Sequence, residues 1–183
     1  MSSLYSDKDI KIAGDKPSRD IEKNKKHIAQ KTVSDSAAQA ARELGEIIAL
    51  KFIEDSHEFS NTDDVTDFEM IIQRRLLLSF TATVGFELYC GDDTACGIAQ
   101  KSFIDELKKR EPEIYKTSSD TGAFSFYYLA FRRGSEIERR MGQTFAMLCS
   151  HDGDPVYQEL GEALYCWFLA AIRKTAKELG LIN

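Results

Sequence analysis

The sequence predicts an all-α fold, an antiparallel bundle of about five principal helices with a flexible polar arm at its N-terminus. Three observations carry the prediction. Proline occurs only at positions 17, 112 and 155, so long stretches lack the strongest helix breaker. Apolar residues recur at steps of three and four and do not alternate with the period of two that strands need. Long stretches also run without the Asp-Gly punctuation that marks β-hairpins.

Two regions follow, a polar arm over 1–33 and a single helical domain over 34–183. The arm is rich in Lys, Asp, Ser and Asn and offers little to bury, so it is expected to be mobile unless a partner orders it. The first helix starts at the cap candidates Ser34 and Asp35 and runs to about His57. Ala37, Ala41, Leu44, Ile48 and Phe52 form its apolar face. After a polar turn, Thr66 and Glu69 have the spacing of a capping box, and the second helix runs from there to Cys90. Its dense apolar content from Met70 to Leu88 marks a central helix.

Gly91 ends that helix, Asp92 or Asp93 caps the next, and Pro112 stops the third just after Arg110. Ile98, Phe103, Ile104 and Leu107 make its inner stripe. The fourth helix starts at Ser118 or Asp120 and carries Phe124, Tyr127, Tyr128 and Phe131 on one face, then Ile137, Met141, Phe145 and Leu148 beyond Gly134. An internal glycine costs only about 1 kcal/mol relative to alanine, so the sequence leaves open whether Gly134 breaks this helix. The last helix has Asp154 as N-cap, Pro155 at its first position and Gly180 past its end. Val156, Leu160, Leu164, Trp167, Ala171 and Leu179 are its expected core face.

The formal charge of −6 is unevenly spread. Residues 1–33 hold eight Lys/Arg against five Asp/Glu, which leaves a net −9 on the remainder. An acidic body repels phosphate backbones, so no nucleic-acid partner is expected. No apolar segment approaches the roughly 20 residues that span a bilayer, and the arm lacks the apolar stretch of a signal peptide. The expected location is therefore the cytoplasm, with Cys90, Cys96, Cys149 and Cys166 as free thiols and no membrane partner.

A short echo runs through the chain. Arg74-Arg75-Leu76 followed by Ser79-Phe80-Thr81 matches Arg139-Arg140-Met141 followed by Thr144-Phe145-Ala146. A duplicated helical hairpin would place two Arg pairs on related surfaces, where guanidiniums can grip carboxylate or phosphate. Solvent-side ion pairs to Asp67, Glu69, Glu136 and Glu138 explain the same arginines without a ligand.

Each copy leads into a turn with thiol and carboxylate groups. If the fourth helix is one rod, the turns share an end of the bundle, and Cys90, Asp92, Asp93, Cys149, His151 and Asp152 become candidate metal ligands. Their spacing is poor for a zinc site, and capping, turning and packing account for the same residues.

The third feature is aromatic. Phe124, Tyr127, Tyr128 and Phe131, with Trp167 and Tyr165 opposite, could line a small-molecule pocket together with an Arg from the pairs. Helical spacing fits plain core equally well. Phe126 lies off that stripe and leaves its helix apolar around much of its circumference, as a dimer interface would.

No phosphate loop, dinucleotide fingerprint, nucleophile elbow or di-iron motif occurs, so no cofactor is expected, and His27 and His57 have no partners that suggest ligation and are expected to be exposed. The favoured reading is a non-enzymatic bundle that acts through protein contacts, as a homodimer formed by its C-terminal helices, with the basic arm open to a protein partner. A small-molecule sensor or enzyme using the aromatic pocket is the alternative, and a metal site at the two turns is a third.

Overall fold

The computed structural model describes residues 18–60, 68–119 and 121–183. Its described residues form seven helices and no strand, so the chain is all-α. The helices are α1 (Ser18–Ser60), α2 (Phe68–Tyr89), α3 (Asp93–Arg110), α4 (Pro112–Thr117), α5 (Thr121–Arg132), α6 (Ile137–Leu148) and α7 (Pro155–Glu178). No helix among these residues is long and apolar enough to cross a membrane.

The chain divides into two compact units, Met1–Asp35 and Ser36–Asn183, and the hydrophobic core lies in the second. Residues 1–17 of the expected arm lie outside the described residues. From Ser18 the backbone is already helical, so α1 begins well before the cap candidates Ser34 and Asp35. Thr66 of the expected capping box and the cap candidate Asp120 also lie outside the described residues.

The core is built around α2. Leu76, Leu77, Leu78, Phe80, Ala82, Val84 and Phe86 are all buried, which places apolar groups around most of the helix circumference, as the composition of this segment requires. Helices α3, α4, α5, α6 and α7 all touch it. The expected face of α1 is correct at Ala41, Leu44, Ile48 and Phe52, each fully buried. Phe52 joins three helices, with its ring 5.7 Å from that of Phe103 on α3 and 6.4 Å from that of Phe168 on α7.

Two glycines allow helices to approach closely. A Cβ on Gly142 of α6 would collide with the Gln158 carbonyl oxygen of α7, and one on Gly45 of α1 with that of Ala99 on α3. Only a residue without a side chain fits either crossing.

One open point is decided and two expectations change. The segment around Gly134 forms two helices, because the chain turns through the left-handed region at Gly134 (φ 73°) and again at Glu136 (φ 51°), and a right-handed helix cannot continue through both. Pro112 stops α3 as expected but also starts α4, occupying the first helical position where its missing N–H leaves no bond unmade. The inner faces of α5 and α7 are rotated from those expected. Tyr128 is 51% exposed, Val156 69% and Trp167 49%, while Gly161, Leu164, Tyr165, Phe168, Ile172 and Ala176 form the buried stripe of α7. The caps hold: Asp92 accepts from the Ala95 N–H at 2.8 Å, and Asp154 from that of Val156 at 2.9 Å.

Candidate functional site

The aromatic candidates separate into a core group and surface residues. Tyr127 is fully buried and stacks on Phe80 with centroids 5.5 Å apart. Phe124 and Phe131 meet the same Phe80 ring edge-on, at 5.8 and 6.5 Å. This is an interlocked aromatic core, in which the Tyr127 hydroxyl has no hydrogen-bond partner among the described residues. Burial, with Cys149 beside it, pushes that hydroxyl well above its ordinary pKa. Tyr128 lies on the surface near Arg132, whose guanidinium is 5.8 Å from its ring centroid. Trp167 lies with Lys51, Glu54 and Glu58 on a surface shared by α7 and α1. Tyr165 is buried, and its hydroxyl is pushed up to about 12 by burial, with Glu138, Cys166 and Tyr89 adding to the shift.

The two Arg pairs occupy different environments. Arg74 forms a two-pronged bond with Asp55 of α1, from Nε at 2.9 Å and Nη2 at 2.5 Å, and both side chains are largely buried. Arg75 donates to Thr117 Oγ1 at 3.2 Å, joining α2 to α4, and burial draws its pKa down against the opposing pull of Glu111. Arg139 lies 3.6 Å from Glu136 with both side chains exposed, and Arg140 donates to Ser135 Oγ at 3.3 Å. His57, exposed as expected, meets Glu111 Oε1 at 3.0 Å.

At the turns, Cys90 and Cys149 are buried, and the Cys90 thiol is pushed up to about 12 by burial and by neighbouring Cys96 and Asp92. Asp92 caps α3, Asp93 and Asp152 are exposed, and His151 stacks on Tyr157 with ring centroids 3.8 Å apart. Among the described residues no three His, Cys, Asp or Glu side chains gather where they could hold a metal ion. The break at Gly134 removes the continuous rod from which the meeting of the two turns was expected.

A groove between α5 and α6 is the more coherent surface. Phe126, Leu129 and Ala130 of α5 and Arg133 just past its end line one side, and Arg140, Gln143, Thr144 and Met147 of α6 the other. Both sets have the i, i+3, i+4, i+7 spacing of a single helix face. Phe126, Leu129 and Met147 are 49%, 60% and 40% exposed. The sequence singled out Phe126 but not Leu129 or Met147, although the same spacing joins them to it and could have found them.

No protein-family model, curated protein or solved structure matches the chain.

Proposed function

We propose that this protein acts through protein contacts, as a homodimer joined across the groove between α5 and α6. The observation that carries the reading is the run of exposed Phe126, Leu129 and Met147 along the facing sides of two helices. Contiguous large apolar groups on a surface favour a partner that removes them from water.

A second copy fits by charge as well as by shape. A two-fold contact sets each patch against itself, so the surface must complement itself. Arg133 and Arg140 flank the apolar groups, and the exposed Glu136 lies in the turn between α5 and α6. A two-fold pairing that brings an arginine of one copy to Glu136 of the other keeps charge at the rim of an apolar centre.

The acidic body argues against a nucleic-acid partner. The unpaired state of all four cysteines suits the cytoplasm, and the basic N-terminal segment offers a separate contact for an acidic protein partner. Sedimentation equilibrium tests the main reading. Wild type is expected at the dimer mass, and Leu129→Glu is expected to weaken association by at least about 30-fold, the effect of losing one central anchor. A monomeric wild type at micromolar concentration, or a Leu129→Glu variant as dimeric as wild type, would overturn it.

A further inference from the structure

Helices α2, α3, α4 and α5 enclose a partly open cavity of about 160 Å³, separate from the dimer groove. Of the candidate ligand-binding residues expected from the sequence, only Phe124 reaches it. The cavity persists because its walls are held from behind. Phe103 packs edge-on against Phe52 at 5.7 Å and Phe86 at 5.8 Å, and Phe124 packs edge-on against Phe80 at 5.8 Å. Rings interlocked in this way cannot turn inward to fill the space without giving up those contacts.

The chemistry of the lining defines what fits. No lining side chain carries a formal charge, so nothing compensates an ion for lost hydration. Three of the polar side chains offer acceptors. Thr83 Oγ1 donates to the Ser79 carbonyl at 3.3 Å, and Ser118 Oγ to the Tyr115 carbonyl at 3.1 Å. With these two hydroxyl protons committed to the backbone, what Thr83 and Ser118 offer the cavity is lone pairs. Gln100 Nε2 donates one N–H to Cys96 Sγ at 3.5 Å, and its carbonyl oxygen is a further acceptor. The cavity therefore has aromatic walls and hydrogen-bond acceptors. A dry apolar cavity of about 150 Å³ holds benzene, which sets the scale of the occupant.

We propose that this cavity is a binding site for a small neutral aromatic molecule that carries one N–H or O–H donor, of the size of phenol or indole. The ring lies between Phe86, Phe103 and Phe124, and the donor reaches Thr83, Gln100 or Ser118. Ile104, partly exposed at 37%, stands at the mouth.

The test is titration of the full chain with phenol, indole, benzene and benzoate, followed by NMR shifts of the Ile104 methyls and by melting temperature. Phenol and indole are expected to saturate, to shift Ile104 and to raise the melting temperature, while benzoate does neither. Thr83→Val, which removes one acceptor and keeps the shape, is expected to weaken phenol about fivefold and leave benzene unchanged. Ile104→Trp is expected to block the mouth and abolish binding, with its own unliganded melting curve showing that the variant folds. Lack of saturation by phenol and indole, benzoate binding as tightly as phenol, or undiminished phenol binding by folded Ile104→Trp would each overturn the proposal.

Discussion

Arg74-Arg75 on α2 and Arg139-Arg140 on α6 stand at matching places in two similar stretches of sequence, yet the fold gives them opposite environments. The first pair is drawn inward, Arg74 to Asp55 of α1 and Arg75 to Thr117 of α4. The second pair stays at the surface, beside Glu136 and Ser135 of its own loop. The apolar half of the echo behaves differently. Phe80 and Phe145 are 3% and 0% exposed, and both belong to the core. Helical spacing thus dictates which positions face inward, while what an arginine does depends on whether another helix covers it. Helix α2 packs against five other helices along its buried middle, and the outer side of α6 borders the open groove.

The largest expected effect tests the shared half. Phe80→Ala removes the ring on which Phe124, Tyr127 and Phe131 converge, and Phe145→Ala removes the ring that packs against Gly161 of α7. Each is expected to cost about 4 kcal/mol, a large part of the roughly 5–15 kcal/mol that stabilises a domain. Urea unfolding measures both. A loss below about 2 kcal/mol at either position would break the equivalence of the two core phenylalanines.

The next effect tests the difference. Arg74→Ala leaves Asp55 in a largely buried place without its two-pronged partner, and the uncompensated carboxylate is expected to cost about 3 kcal/mol. Asp55→Asn with Arg74→Ala removes both charges and is expected to recover part of that loss, because the penalty lies mainly in the stranded charge. If the double variant is as unstable as the sum of the two single ones, Arg74 and Asp55 are not coupled and the burial argument fails.

Much of the fold was legible in the sequence because helix signals are local. The caps Asp92 and Asp154, the stop at Pro112 and the core stripe of α1 all depend on residues within a few positions of one another. The inner face of α7 was misread for an instructive reason. Trp167 and Val156 drew the stripe towards themselves by hydrophobicity, while the buried set contains Gly161, Thr175 and Ala176, small residues whose value is close approach to a neighbour. The same bias set Tyr128 on the inner face of α5, where Ala123 and Ala130 are the buried neighbours of Tyr127. Gly134 was undecidable because a glycine inside a helical pattern is compatible with continuation, and the second left-handed residue, Glu136, carries no sequence signal for that conformation. The cavity was illegible because Thr83, Phe103, Phe124 and Ser118 come from α2, α3, α5 and the residue that caps the end of α4, and their meeting is a property of packing alone.

The smallest expected effect completes the comparison. Arg139 lies in the first turn of α6, where the helix dipole disfavours a positive charge, and its Glu136 partner at 3.6 Å is exposed. Arg139→Ala loses a weak ion pair, removes an unfavourable dipole interaction and introduces the residue with the best helix propensity. The three contributions nearly cancel, so the change in stability is expected to stay within about 0.5 kcal/mol, against about 3 kcal/mol for Arg74→Ala. Urea unfolding at two protein concentrations makes the result sharper. A larger cost that appears only at the higher concentration would place Arg139 inside the contact between copies, because association adds to stability by mass action. A larger cost at both concentrations would mean that Arg139 is tied into its own fold as firmly as Arg74, and the contrast between the two pairs would be lost.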